Sequence, residues 1–250
     1  MNPPYYIVSD NHFFMKNTSE ENDRRKKLFK VFEKIREKNE GTLIIGGDFF
    51  DYWFEYDDVI PKGYESIFQE FKLLKKSNIK LHYILGNHDY WDFGYLEKNF
   101  DINVHKNDLT LNLNNNKILL THGDGLLKND YGYRLLKKII RSKIFIKIYK
   151  LFPASFTTKF ANKLSKSSSH YNHNDKYVDI IQKDMLEYAI KKWDEGYKAV
   201  LIGHYHQTGI IDKKDKSLVF LGDWLSKYTV TMIKDNKIWQ GNWKEFIDLS

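Results

Sequence analysis

TLIIGGDFFD, residues 42–51, is the stretch from which the architecture of this 250-residue chain can be worked out. An apolar run that fits a buried strand ends abruptly in glycines and carboxylates. Similar endings follow YYIV (5–8), YILG (83–86) and AVLIG (199–203). Ligands of open α/β sheets bind at the carboxyl ends of the strands, so these endings predict a functional site in an α/β fold.

The composition limits the possible chemistry. The chain has no cysteine, which excludes disulfide scaffolds, zinc ribbons, iron–sulfur clusters and cysteine nucleophiles. No signal-like segment is visible at the start, and no run approaches the roughly 18 apolar residues of a membrane-spanning helix. We therefore expect a soluble or peripherally bound protein.

The order of predicted elements indicates one α/β sandwich with an insertion. Amphipathic helices are predicted at 20–38 and 64–76, between the first strands, and antiparallel strands close the chain. A further amphipathic helix is predicted over 134–152, followed by a second to about 166, and another over 175–193. We expect residues 1–124 and 186–250 to form the core and residues 125–185 to form a helical cap.

The cap carries the whole basic excess of the chain. Residues 131–169 contain ten Lys or Arg and no acidic residue, so the remainder has 40 − 10 = 30 basic against 33 acidic residues. Apolar residues alternate with these cations, as in LLKKIIRSKIFIKIYKLF (135–152). Such a helix could line an acyl-chain groove beside anionic headgroups. It could equally pack on a core with a solvated basic face, or bind nucleic acid.

Five polar clusters at strand ends contain the ligand types of a two-metal site. Carboxylates and imidazoles bind paired divalent ions, and one carboxylate can bridge both. Nitrogen and oxygen ligands without sulfur fit Mn²⁺, Fe²⁺ or Zn²⁺. The clusters are Asp10-Asn11-His12, Gly47-Asp48-Phe49-Phe50-Asp51, Gly86-Asn87-His88-Asp89, Thr121-His122-Gly123-Asp124 and Gly203-His204-Tyr205-His206.

This ordered set of motifs resembles the calcineurin-like metallophosphoesterases. The resemblance implies a four-layer αββα sandwich and two divalent metal ions that share Asp48. It also implies that His88 hydrogen-bonds a phosphoryl or leaving-group oxygen, with Asp51 as its orienting carboxylate. The implied ligands are Asp10, His12, Asp48 and His206 for one ion, and Asp48, Asn87, His122 and His204 for the other. Asp89 and Asp124 are expected to support the ligands.

Three longer stretches resemble the UDP-2,3-diacylglucosamine pyrophosphohydrolases of lipid A biosynthesis. They are GDFFDYWFEYDD (47–58), THGDGLLKNDYGYRLLKK (121–138) and FLGDWLSKYTV (220–230), the last resembling the closing strands of a branch in which G-N-H-D is present. The resemblance implies Mn²⁺-dependent cleavage at the α-phosphorus, giving UMP and 2,3-diacylglucosamine 1-phosphate. It implies a lipid-linked nucleotide sugar as partner, the cytoplasmic face of the inner membrane as location, and no nucleic acid. The substrate contacts it implies are Asn87, His88, Asp130, Tyr133 and His204.

One departure keeps a second function open. Many enzymes of that lipid A family have arginine after the metal-ligand asparagine, where this chain has His88. A phosphoesterase acting on a soluble nucleotide, phosphoprotein or nucleic acid therefore stays an alternative, as does a non-catalytic interaction module. His82 and His105 are expected to be packing or surface residues. His170, His173 and the 164–169 stretch are candidates for facing the substrate.

Overall fold

The computed structural model describes residues 1–56, 59–152 and 175–249, without the side chains of residues 175 and 176. Eleven strands lie within these ranges. They are β1 Tyr5–Val8, β2 Thr42–Ile45, β3 Lys80–Ile84, β4 Asn103–His105, β5 Leu109–Leu113, β6 Asn116–Thr121, β7 Tyr197–Ile202, β8 Thr208–Lys213, β9 Lys216–Leu221, β10 Thr229–Lys234 and β11 Lys237–Asn242. The helices in the same part of the chain are α1 Ser19–Lys38, α2 Glu65–Lys75, α3 Tyr95–Phe100, α4 Tyr131–Ile140, α5 Lys143–Lys150, α6 Asp175–Asp194 and α7 Trp243–Ile247.

The strands form two sheets. The first has the order β11-β10-β1-β2-β3-β4. Strands β1 to β4 run parallel to one another, β10 is antiparallel to β1, and β11 is antiparallel to β10. The second has the order β5-β6-β7-β9-β8, with β6, β7 and β9 parallel between two antiparallel edge strands. The parallel strands of each sheet therefore end at one edge, where the polar clusters of the sequence meet.

Three apolar cores separate four layers. One lies between the first sheet and α1, α2, α3 and α7, and contains Phe32 and Phe71. A second lies between the two sheets, where Ile44 and Leu201 are both 0% exposed. The third packs α6 on the second sheet around Met185. The predicted αββα sandwich is confirmed.

Local capping explains the helix boundaries in the first half. The Thr18 hydroxyl accepts a hydrogen bond from the Glu21 amide and starts α1. The helix ends at Asn39, whose φ of 51° is left-handed. Of the apolar residues on its predicted face, Leu28, Phe32 and Ile35 are fully buried. The predicted helices at 20–38 and 64–76 are confirmed to within one residue.

The single helix predicted over 134–152 is wrong. The structure has two helices, α4 and α5, separated at Arg141 and Ser142. The Ser142 hydroxyl donates to the Ile139 carbonyl at 2.7 Å and accepts from the Phe145 amide at 3.2 Å, so it ends one helix and caps the next. Neither helix contains a buried residue. The helix predicted after residue 152 falls outside the described ranges.

The boundaries of the cap stay a prediction. Helix α6 spans Asp175–Asp194 and so runs through residue 185, where the core was expected to resume. Across the described part of the chain, no helix is long and apolar enough to cross a membrane.

Candidate metal centre

All seven predicted metal ligands come together where strands of both sheets end. Three overlapping groups of side chains each bring their ligand atoms within 4.8 Å of one another. The groups are Asp10, His12 and His206; His12, Asp48 and His88; and Asp48, His122 and His204. These residues lie in the loops that follow strands β1, β2, β3, β6 and β7. The site is therefore complete only when both sheets are in place.

Asp48 lies at the centre of the cluster. Its Oδ1 accepts a hydrogen bond of 2.8 Å from the His88 amide. Its Oδ2 lies 3.2 Å from Nε2 of His122 and 3.8 Å from Nε2 of His12. One carboxylate oxygen therefore faces histidines of both predicted ligand sets, which is the geometry that a bridging ligand requires.

The first set is completed by Asp10 and His206. The His206 Nε2 lies 3.6 Å from Oδ1 of Asp10 and 3.2 Å from Nε2 of His12. The Asp10 carboxylate also accepts hydrogen bonds from the His204 amide at 2.9 and 3.0 Å and from Ser9 Oγ at 2.6 Å. These donors fix the carboxylate, and they connect the β1 loop to the β7 loop.

The second set brings Asn87 to His122. The Asn87 Oδ1 lies 3.3 Å from Nε2 of His122, and the other ring nitrogen of His122 lies 3.1 Å from the Gly46 carbonyl. Because a carbonyl only accepts, the Nδ1 of His122 donates to it and Nε2 is left as the ligand atom. The ring of His204 lies 5.2 Å from that of His122.

The backbone of the ligand loops is strained. Five ligand residues have left-handed φ values: Asp10 51°, His12 44°, Asp48 49°, His204 64° and His206 52°. For residues with a Cβ this conformation costs roughly 1–2 kcal/mol each. Strain of this kind persists at functional sites, where the surrounding structure holds it.

Two glycines permit the close packing of the loops. A Cβ on Gly86 would overlap the Asp48 carboxylate and the Asp48 amide. A Cβ on Gly47, whose φ is 104°, would overlap the ring of His122. Both positions therefore require glycine for steric reasons.

Burial and neighbouring charges shift the pKa values of four residues of the cluster in different directions. Burial would raise the pKa of Asp48, but His122 and His88 outweigh it and hold that pKa well below its usual range. Burial opposes a charge on His122, yet Asp48 raises the pKa of His122 to about 10. Burial raises the pKa of Asp10 to about 6 and lowers that of His204 to about 3.

His88 and Asp51 lie beside the predicted ligands, and the Asp51 carbonyl is closer to the His88 ring than the Asp51 carboxylate is. The His88 Nδ1 is 2.7 Å from the Asp51 carbonyl and 3.9 Å from the Asp51 carboxylate. The donation to the carbonyl leaves Nε2 of His88 available for another partner. The Asp51 carboxylate also lies 3.7 Å from Nδ1 of His12. Burial opposes a charge on His88, but Asp48 and Asp51 raise its pKa.

Of the two predicted cap residues, Tyr133 approaches the centre. Its ring lies 6.1 Å from that of His204, and its hydroxyl donates to Asp124 at 3.1 Å. Asp130 precedes α4 and is partly exposed, with no side-chain cap bond, and burial raises its pKa. Within the described ranges, Asp130 makes no contact with a predicted metal-ligand residue.

Two arginines that no sequence motif marks also touch the ligand loops. Arg24 of α1 is buried and donates to the carbonyls of Asn11 and His12. Arg141, just after α4, donates to the Gly86 carbonyl and to Asp124, each at 3.0 Å. Long helical side chains reach loops that are distant in sequence, so no local motif marks them.

The remaining histidines lie apart from the centre or outside the described ranges. His82 and His105 are neighbours on β3 and β4, with Nδ1 and Nε2 2.9 Å apart. Their rings stack at 5.2 Å, which agrees with a packing role. His170, His173 and the 164–169 stretch lie outside the described residues.

The donor set fits divalent cations. Carboxylate oxygen, amide oxygen and imidazole nitrogen converge within metal-ligand reach, and the chain has no thiolate. Asp10, His12 and His206 would hold one ion and Asn87, His122 and His204 the other, with Asp48 between them. This assignment is the sequence prediction, and the geometry is compatible with it.

Comparison with known proteins gives a family and a set of relatives. The model of the family described as calcineurin-like phosphoesterase matches residues 3–208. A protein named UDP-2,3-diacylglucosamine hydrolase from Porphyromonas gingivalis is 26% identical over 90% of this chain and 92% of its own length. One of the same name from Proteus mirabilis is 25% identical over 79% of this chain and 83% of its own length. A solved archaeal phosphodiesterase is 15% identical with a TM-score of 0.48, over 95% of this chain and 98% of that one.

Proposed function

Because the chain belongs to the calcineurin-like phosphoesterase family, we propose that it hydrolyses UDP-2,3-diacylglucosamine. Water would attack in line at the α-phosphorus, and the bond from that phosphorus to the bridging oxygen would break. The products would be UMP and 2,3-diacylglucosamine 1-phosphate. The relatives named UDP-2,3-diacylglucosamine hydrolase, which align over most of the chain, support this substrate.

The observation that carries the proposal is the position of Asp48 between the two ligand sets. A shared carboxylate oxygen 3.2 Å from His122 and 3.8 Å from His12 is suited to a pair of divalent ions, and we propose Mn²⁺. When bound, the ions would neutralise phosphoryl oxygens and lower the pKa of the attacking water. Asp10 and Asp48 orient the ligand histidines through the contacts described above.

His88 would act on the reacting group directly. Its Nδ1 donates to the Asp51 carbonyl at 2.7 Å, so its ring orientation and tautomer are fixed. The free Nε2 can then donate a hydrogen bond to a phosphoryl or leaving-group oxygen when it is protonated. Asp51, Asn87, His204, Tyr133 and Asp130 stay as proposed orienting or substrate contacts.

The exposed side chains of the cap also support this substrate. Helices α4 and α5 expose apolar side chains: Leu135 is 62% exposed, Ile139 50% and Ile144 73%. Lysines and arginines alternate with them and no acidic residue intervenes. A substrate with two acyl chains and a diphosphate combines the same two chemistries.

The same surface would hold the enzyme at the cytoplasmic face of an inner membrane. Each basic residue near an anionic surface contributes about 1 kcal/mol, and the apolar side chains add buried area. Cosedimentation with vesicles of anionic lipid, but not with phosphatidylcholine vesicles, is expected. Equal amounts of protein in the pellets of both vesicle types, or no protein in either pellet, would contradict this location.

The direct test is release of UMP from UDP-2,3-diacylglucosamine by the purified protein. Mn²⁺ should support turnover, and a chelator should abolish it. Bis(p-nitrophenyl) phosphate serves as the generic diester in parallel. Turnover of the generic diester alone would keep the metal chemistry and refute the lipid substrate.

A further inference from the structure

Arginines from two different helices hold the two halves of the metal centre. Arg24, from α1 in the first core, donates to the carbonyls of Asn11 and His12. Arg141, at the end of α4 in the cap, donates to the carbonyl of Gly86 at 3.0 Å. Gly86 directly precedes Asn87, so each arginine touches the backbone of a different predicted ligand set.

Arg141 also contacts the other loop of the second set. The same guanidinium nitrogen lies 3.0 Å from Oδ2 of Asp124, which is two residues after His122. The guanidinium stacks over the ring of Tyr90 with 4.0 Å between its carbon and the ring centroid. One side chain therefore joins the two loops whose Asn87 and His122 ligand atoms are 3.3 Å apart.

The contact is shielded from water. The Arg141 side chain is 16% exposed and the Asp124 side chain 7%. Lys137, one turn earlier on α4, lies 2.7 Å from the same carboxylate and donates to the Asp124 carbonyl at 2.9 Å. An ion pair this sheltered is screened less than a surface pair.

We infer that Arg141 is a positioning residue for the second metal ion and that it makes the affinity of this ion depend on the cap. The inference rests on the two-metal part of the proposed function. Groups that orient metal ligands typically change metal affinity 10–100-fold when removed. The first ion should be insensitive, because its loop is held by Arg24 from the core.

The coupling is reciprocal. If the seating of α4 strengthens the second ion, then the second ion strengthens the seating of α4 by the same factor. Tyr133 lies on the same helix and approaches His204, so a substrate held by the cap would contact an element that also sets the metal site.

The experiment titrates Mn²⁺ into metal-free full-length protein, with no substrate present. Calorimetry gives the number of ions and their affinities. Electron paramagnetic resonance then distinguishes an exchange-coupled pair, with the ions about 3.5–4 Å apart, from a single ion. The variants are Arg141→Ala and Arg141→Lys, and the control is Lys138→Ala, which removes an exposed cation from the same helix.

Arg141→Ala should keep the tighter ion, weaken the other at least tenfold and lose the exchange-coupled spectrum. Arg141→Lys keeps the charge but loses the planar guanidinium that stacks on the ring of Tyr90, so it should fall between wild type and Arg141→Ala. Lys138→Ala should bind both ions normally. If Arg141→Ala is unfolded by circular dichroism, Arg141→Lys alone decides.

Three results would overturn the inference. Normal binding of both ions by Arg141→Ala and Arg141→Lys would leave Arg141 a structural residue, with the proposed function untouched. Equal weakening of both ions would show a general disturbance of the centre. A wild-type protein that binds one ion only would refute the two-metal proposal itself and, with it, the role of Arg141.

Discussion

The ligand loops and the cap helices are constructed in opposite ways. Asp10 and Asp48 are at most 1% exposed and are fixed by several hydrogen bonds on a strained backbone. Helices α4 and α5 contain no buried residue, and Leu135 is 62% exposed. Polar contacts of Lys137 and Arg141 hold the cap to the loops. The ligand side chains are thus held in place by the protein itself, whereas the apolar side chains of α4 and α5 are exposed.

Removal of the Asp48 carboxylate, which both predicted ligand sets share, should disturb the site most. Asp48→Ala should lose both ions together and reduce turnover by more than about 10³-fold, because it takes a ligand from each set. Metal content by elemental analysis and UMP release measure the effect. Asp23→Ala, which removes an exposed carboxylate from α1, should be normal. Normal turnover in Asp48→Ala would refute the bridging role.

A second substitution separates binding of the metals from the chemical step. His88→Ala should keep both ions yet lower kcat about 10²-fold, because the positioned donor is missing. Metal stoichiometry and kcat are measured on the same preparation. Loss of an ion instead would make His88 a support for Asp48, whose Oδ1 accepts from the His88 amide.

The openness of the cap is tested by substitutions on its apolar face. Leu135→Ser with Ile139→Ser should raise KM for the lipid substrate about tenfold or more, since each lost apolar contact is worth about 1.5 kcal/mol. Turnover of bis(p-nitrophenyl) phosphate and the melting temperature should not change.

The matched control for the cap variant is Leu73→Ser, an apolar residue of α2 that is 44% exposed. It should leave KM unchanged. A fall in melting temperature of the cap variant by several degrees would show that this face packs like a core. The apolar face of the cap would then not be an open surface.

The smallest effect concerns His82 and His105, a histidine pair that lies outside both the ligand loops and the cap helices. Burial, and after it the neighbouring His105, lower the pKa of His82 to about 4. The unfolded chain therefore binds more protons between about pH 4 and the ordinary value of 6.5, so stability is lost as the pH falls through this range. His82→Gln should remove about 1 kcal/mol of this acid sensitivity, a value reduced for solvent screening. Thermal unfolding of metal-free protein at pH 7 and pH 5 measures it.

The sequence predicts an α/β sandwich and the ligand cluster because their signals are local, whereas the four-layer arrangement was implied by the family resemblance. Each ligand follows its own apolar strand, and parallel strands bring such endings together. The break at Ser142 could not be predicted from periodicity, since the apolar spacing continues through it and only the hydroxyl contacts end the helix. Arg24 and Arg141 were missed because their acceptors lie 12–13 and 55 residues away in the chain.

The use of both sheets in the metal centre imposes an order of events during protein synthesis. Either ligand set is incomplete until β7 and the His204 and His206 that follow it have left the ribosome. Strand β1, in the middle of the first sheet, must wait longer still for its neighbour β10. A nascent chain can therefore display Asp10, His12 and Asp48 without capturing a cation tightly. Metal uptake would report that translation has passed His206, and bound ions would stabilise only molecules in which all the ligand loops are in place.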